Sequence, residues 1–309
     1  MWQWACPVCR RLLMLSGVTE DRLRCSDCGM EYPCKDGVWR MLPPERLAAF
    51  RQFIQEYEAI RRAEGRGSSE AAYYRALPER DLSGRWKRDW AIRARSYIAL
   101  VEQVIVPFER ERARALKILD LGAGNGWLSG RLAQRGHELA AIDLLTNAWD
   151  GLGAHIHYLA HFTPIQAEFD RLPLADDQAD LAIFNASFHY SVDYYRSLDE
   201  VLRILKADGK VVILDSPWYA DAQSGEQMAR EREMHFTLRY GFPSNALPSQ
   251  NYLTEKRLAD LAQHFGLRWR RIAPYYGIRW ALRPWLARLH RRREPAQFYL
   301  WAGERLASD

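Results

Sequence analysis

The sequence predicts an α/β protein in which a mostly parallel sheet is covered by helices on both faces. Three observations carry that expectation. From residue 117 onward, apolar runs of strand length alternate with amphipathic helical stretches. A glycine-rich turn, "GAGNG" at 122–126, joins one such run to a helix. Four of the five cysteines fall as two close pairs in the first 28 residues, outside that alternation, so a small separate element precedes the sheet.

The chain has 309 residues, enough for one sizeable core with smaller attachments. Hydrophobic residues at 48% and charged residues at 27% are ordinary for a globular protein and exclude fibrous or disordered classes. A formal net charge of +5 permits an anionic partner without requiring one. No apolar run reaches membrane-spanning length, and the opening "MWQWACPVC" lacks the basic-then-apolar order of a signal peptide. A cytoplasmic location with reduced thiols is therefore expected.

The first element is residues 1–42. "CPVCRRLLMLSGVTEDRLRCSDC" places Cys6 with Cys9 and Cys25 with Cys28. Two C-x-x-C knuckles suit four thiolates closing a tetrahedron around zinc, and a segment this short needs the metal for much of its folding energy. Cys34 reads as a small buried hydrophobe, not as a fifth ligand. The Pro-Pro at 43–44 marks the boundary. Residues 43–115 then form a helical connector rich in arginine and aromatics, interrupted by "EGRGSS" at 64–69 and "LPERDLSG" at 77–84. Its aromatics either pack the core or wall a binding site.

Strands are expected at 117–121, 138–143, 164–168, 180–185, 210–215, 267–273 and 296–302. The turn after the first of them, Gly122, Ala123, Gly124, Asn125, Gly126, has Trp127 where a dinucleotide fingerprint needs its last glycine. It also lacks the Lys-Ser/Thr of a phosphate-binding loop. Instead it has an acid before the first glycine, Asp120, and another, Asp143, at the end of the next apolar run. The first suits a cationic amino group. The second suits the two hydroxyls of a ribose.

"LDLGAGNG", with the acid that follows, resembles motif I of the class I S-adenosylmethionine-dependent methyltransferases, type 11-like. The resemblance implies a Rossmann-like sheet of seven strands, the last antiparallel, with helices on both faces over residues 116–309. It implies S-adenosylmethionine as cofactor, with Asp120, Gly122, Ala123, Gly124, Gly126, Asp143 and Leu144 around it. In "IQAEFDRLP" it places Glu168 as acceptor for the adenine amino group and Phe169 beside the ring, although the family usually has Asp in the acid position. In "DLAIFNASFHY" it places Asn185, with Ser187, Phe188, His189 and Tyr190, near the sulfonium. It implies that the connector helices fold over the cofactor and wall the acceptor pocket. The N-terminal ribbon is similar to the zinc-binding activator module of tRNA methyltransferases and to the ribbon of a bacterial large-subunit rRNA guanine methyltransferase.

"NASF" lacks the two prolines of the Asn/Asp-Pro-Pro-aromatic tetrapeptide used by amino-methylating enzymes of DNA bases, which disfavours DNA. Methyl transfer by in-line displacement rests on alignment and needs no obligatory base. Where a base is needed, His189 is the first candidate for its pKa range, with His235 and Tyr190 behind it. An insertion at 216–252 holds Trp218, Tyr219, His235, Phe236, Tyr240 and Phe242, and reads as a lid over an apolar or planar acceptor. Arginines interleave with tryptophans in "RWALRPWLARLHRRRE", a run that is a solvated face, a phosphate- and base-binding surface or a peripheral membrane contact. The expected acceptor is a small molecule, secondary metabolite or lipid-linked compound. The alternatives are rRNA or tRNA positioned by the ribbon and arginines, or a scaffold that no longer turns over.

Overall fold

The computed structural model describes residues 1–15 and 21–306. Thirteen strands and ten helices are described. The ribbon contains β1 (Met14–Leu15), β2 (Arg22–Arg24), β3 (Glu31–Lys35) and β4 (Val38–Arg40). The connector contains α1 (Pro44–Ala63), α2 (Ala71–Ala76) and α3 (Lys87–Leu100), then a π turn over Val101–Ile105 and α4 (Val106–Arg112). The two expected interruptions fall between these helices. The remaining chain alternates β5 (Lys117–Leu121), α5 (Trp127–Gln134), β6 (Glu138–Asp143), β7 (Thr163–Gln166), β8 (Ala179–Asn185), α6 (Tyr194–Ile204) and β9 (Leu205–Leu214). After β9 come β10 (Trp218–Tyr219), α7 (Ala222–Tyr240), β11 (Leu253–Thr254), α8 (Glu255–Phe265), β12 (Leu267–Ile272), α9 (Ile278–Ala281), α10 (Arg283–Leu289) and β13 (Leu300–Arg305).

Seven of the nine strands after the connector lie in the order β7-β6-β5-β8-β9-β13-β12, parallel except for β13, which runs antiparallel to both neighbours, and β10 pairs separately with β11. This is the expected Rossmann-like sheet of seven strands, the last in the chain antiparallel. Strand β8, ADLAIFN, is buried along its whole length because helices cover both faces. Its side chains alternate between two cores: Ala182 and Phe184 join one, Leu181 and Ile183 the other.

Two strands start well away from their expected positions, the third ends at Gln166 and not at 168, and the other limits shift only slightly. The last strand begins at Leu300, not 296, because Gln297 pairs with Trp218 of β10 before the chain reaches the sheet. The fifth begins at Leu205, where α6 ends directly in the ladder instead of leaving a loop.

The ribbon continues the sheet. Strand β4 pairs in parallel with β7, extending the array to eleven strands. Gln3 exchanges hydrogen bonds with the Gln178 side chain at 2.7 and 2.9 Å, and Ala5 N–H donates to Pro173 O. Trp2, Leu23, Tyr32 and Met41 bury themselves in the same core as Leu119 and Ile142, so the ribbon's few apolar residues gain a larger partner than they could form alone. Among the described residues no helix is long and apolar enough to cross a membrane.

Candidate active site and cysteine cluster

The strand order reverses between β5 and β8: the chain goes from β5 to β6 on one side and returns to β8 on the other. Open α/β sheets form their ligand crevice at the carboxyl ends of strands at such a point. Here the two strand ends are tied together, since Ser187 Oγ after β8 donates to Leu121 O at the end of β5. Gly122 follows directly with φ +76°, and a Cβ there would lie 2.3 Å from Ser187 Cβ, so only glycine closes the turn this tightly. Gly124 has φ +56°, and a Cβ on it would project into open space. The turn therefore leaves a bare backbone cradle.

That cradle is one wall of a cavity of about 530 Å³. Gly122, Gly124, Asp143, Leu144, Glu168 and Phe169, all expected from the sequence, line it. Ala123, Gly126 and Asn185 are not among the lining residues. Asp143 Oδ2 accepts from Gly124 N–H and Oδ1 from Leu145 N–H, both at 2.8 Å. Burial raises its pKa, while these bonds and that of Leu144 favour the charged form. Glu168 is buried and held as a fork by Arg46 of α1. A carboxylate has room for a further donor beside such a fork, so the pair is compatible with an adenine amino group.

Asp120 lies beneath the turn and is fully buried. Ser129 Oγ donates to its Oδ2 at 2.7 Å, and Oδ1 has no partner. Burial, with the nearby charge of Asp143, pushes the Asp120 carboxyl up to about 7. Asn185 Oδ1 and Asp215 Oδ2, at the ends of adjacent strands, are also buried without donors. Ser96 Oγ of α3 donates to the other Asp215 oxygen, and burial raises this carboxyl to about 6.

His189 does not line the cavity. It is buried behind Tyr190, its ring 4.3 Å from that of the tyrosine, with Nδ1 3.2 Å from Ser216 Oγ. Burial, with Arg232 and Arg93 nearby, lowers its pKa to about 3, so the imidazole is neutral at pH 7 and weakly basic. Tyr190 does reach the cavity, while His235 is exposed on α7.

That the connector walls the pocket was expected, but not which residues of α1 supply the wall. Phe50, Phe53 and Tyr57 line the cavity, and Phe53 and Tyr57 pack with Tyr190 at centroid distances of 6.1 and 6.3 Å. Arg61, one turn after Tyr57, pairs with Asp150 in the loop after β6 and closes that end. The signal was present as spacing: Phe50, Phe53, Tyr57 and Arg61 recur on one helical face. The insertion contributes Ala246, Leu247 and Pro248. Its aromatics lie elsewhere: Trp218 and Tyr219 are buried in β10, and Phe236, Tyr240 and Phe242 stack in a row along and just past α7.

In the ribbon, the sulfurs of Cys6, Cys9, Cys25 and Cys28 all lie within 4.8 Å of one another. Measured separations are 3.6 Å for Cys6–Cys28, 3.3 Å for Cys9–Cys25 and 3.8 Å for Cys9–Cys28. Thiolates bound to one zinc at ~2.3 Å in a tetrahedron lie ~3.8 Å apart, so the donor set fits the ion. Backbone N–H groups of Arg11, Cys28, Asp27 and Met30 are directed at the sulfurs. Cys34 is outside the cluster, and burial raises its thiol pKa.

Residues 119–213 match the family model described as "Methyltransferase domain". The matched segment runs from β5 to β9 of the sheet. The chain is 30% identical to an uncharacterised methyltransferase of Mycobacterium tuberculosis over 48% of its own length and 64% of the relative's. It is 31% identical to malonyl-[acyl-carrier protein] O-methyltransferase of Buchnera aphidicola over 31% of its length and 38% of that protein's. It is 30% identical to demethylmenaquinone methyltransferase of Clavibacter sepedonicus over 32% of its length and 40% of that protein's. The chain thus spans less than two thirds of the length of these relatives.

An orphaned carboxylate near pH 7 predicts a specific linkage. A cation held near Asp120 favours its ionised form, so binding S-adenosylmethionine releases a proton below about pH 7. Affinity measured by calorimetry should rise between about pH 6 and pH 8, by up to ~10-fold per unit below 7, and Asp120→Asn should flatten that rise. An equal slope in both proteins contradicts the linkage.

Proposed function

We propose that this protein is an S-adenosylmethionine-dependent methyltransferase that acts on a small-molecule or lipid-linked acceptor. The observation that carries the reading is the bare glycine cradle facing a carboxylate, Asp143, in a cavity at the switch point of the sheet. When bound, the cofactor supplies an electrophilic methyl group on a sulfonium. Asp143 would take the ribose hydroxyls, Glu168 and Phe169 the adenine, and the turn backbone with Asp120 beneath it the amino-acid end. The α1 wall of Phe50, Phe53 and Tyr57 would exclude water and align the acceptor, so the chain's main contribution to rate is orientation.

An acceptor of modest size is supported by the pocket, which is lined by aromatic and aliphatic side chains from α1, the β8 end and Ala246–Pro248. The names of two relatives, which concern malonyl-[acyl-carrier protein] and demethylmenaquinone, point the same way. The buried, neutral His189 fits a positioning role through Ser216 better than that of the base, and the proposed transfer needs no histidine base. Rate plotted against pH should therefore show no limb near the ordinary histidine range that disappears in His189→Gln. RNA remains the second reading because the ribbon adjoins the cofactor crevice: Pro7, Val8 and Arg10 share a polar cavity of about 290 Å³ with Arg46 and Glu168.

The test is transfer of labelled methyl from S-adenosylmethionine into an extract of the native host, separated into RNA, protein, lipid and small-molecule fractions. Label in the lipid or small-molecule fraction is expected. Label that ribonuclease removes would overturn the acceptor class in favour of RNA.

The cysteine cluster is proposed as a structural zinc site, closed by four thiolates with no open coordination position. Metal analysis of freshly purified protein should give one zinc per chain. Cys25→Ser should lose the metal and loosen the ribbon, and full occupancy in that variant would contradict the assignment.

A further inference from the structure

The arginine-rich run takes up a conformation that neither the catalytic reading nor the core explains. From Ala273 to Arg293 it contains six arginines and no acid. Helices α9 and α10 follow each other through Leu282, which keeps right-handed helical dihedrals (φ −79°, ψ −12°). Tyr275 lies just before α9, outside its helical geometry, and Ile278, Leu282, Trp285 and Leu289, spaced four, three and four residues apart, share one stripe. These five residues are 69, 67, 46, 62 and 62% exposed. Neither helix buries a residue. Soluble surface helices turn their apolar stripe inward, and this one is turned out.

The inner side of the same segment is anchored. Tyr276 and Trp280 pack at 5.0 Å, Trp280 packs on Phe298 at 5.3 Å, and Tyr276 bonds Ser96 at 2.8 Å beside Asp215. The outward direction of the stripe is thus fixed from below, on the side of the molecule where the carboxyl edge of the sheet lies. Two more exposed apolar residues, Met234 and Leu238, stand one turn apart on α7, whose Glu231 pairs with Arg293. A groove of about 600 Å³ between α7 and α10 is lined by Arg283, His290, Arg291 and Arg292. Arg279, Arg288, Arg291 and Arg292 are exposed and make no ion pair among the described residues. The acids facing this surface are Glu231, already paired, and Glu294, which follows the run.

We propose that α9–α10, flanked by Met234 and Leu238, is a docking face for an anionic lipid surface, with the apolar stripe entering the headgroup boundary and the arginines meeting lipid phosphates. A convex helix face with tryptophan and leucine at its crest and arginines along its sides is the arrangement that binds in the plane of a membrane. The charge is of one sign along the whole segment, which complements a surface of anionic headgroups. Docking there turns toward the bilayer the side of the molecule on which Tyr276 contacts Asp215. The inference does not depend on the identity of the methyl acceptor.

The full-length protein is sedimented with vesicles of phosphatidylcholine alone and with about 30 mol% phosphatidylglycerol. Binding is expected only to the anionic vesicles, and raised salt should weaken it. The exposed double variants Trp285→Ser/Leu289→Ser and Arg291→Glu/Arg292→Glu should each lose at least about tenfold in partition while keeping thermal stability and S-adenosylmethionine affinity. The face is not a lipid surface if no vesicle is bound, or if both variants bind as the parent does. It is likewise overturned if the stripe mediates only self-association, or only capture of a purified acidic carrier protein.

Discussion

The two hydrogen bonds accepted by Asp143 set the geometry on which the rest of the site depends. By taking the N–H groups of Gly124 and Leu145, this carboxylate ties the turn after β5 to the end of β6. A charged acceptor held by two backbone donors stays oriented without a side-chain partner. The tie keeps the turn open as a cradle and fixes where a ribose would lie. The same strand ends place Asp120, Asn185 and Asp215 under or beside the crevice with unpaired oxygens. Such groups cost stability unless a donor satisfies them, which supports the proposed binding site at this edge.

The catalytic sheet was legible because its signals are local. A strand, a three-glycine turn and a helix in 117–134 need no distant information, and β5 and β6 lie at their expected positions. The site residues that follow strand ends, Asp143, Glu168 and Phe169, were legible for the same reason. The resemblance implied that the connector walls the pocket, but the α1 residues that do so were not legible, because which face of a helix meets a cavity depends on tertiary docking. His189 is the opposite case: its residue type suggested a base, while its burial, which lowers its pKa, favours the positioning role proposed for it. In the insertion, aromatic content suggested a pocket lining, yet Ala246, Leu247 and Pro248 supply it while the rings pack among themselves.

The ribbon was readable as a cysteine framework but not as part of the sheet. Its strand β4 adds to β7 through backbone hydrogen bonds, which carry no sequence signature. The consequence is mechanical. Arg10, just past the first knuckle, pairs with Glu200 of α6, and Arg46, a few residues after the ribbon, holds Glu168 at the cofactor crevice. The ribbon and the segment that follows it are thereby tied to the catalytic sheet on the side of the proposed adenine end.

The central claim is that Asp143 and the glycine cradle hold S-adenosylmethionine. Calorimetric titration of S-adenosylmethionine into the parent protein and into Asp143→Ala, with folding of the variant checked by circular dichroism, tests it most directly. The account predicts one binding site in the parent and a loss of about 100-fold in affinity in the variant, the worth of two hydrogen bonds to a charged acceptor. Equal affinity in the two proteins, or no binding to the folded parent, would contradict it.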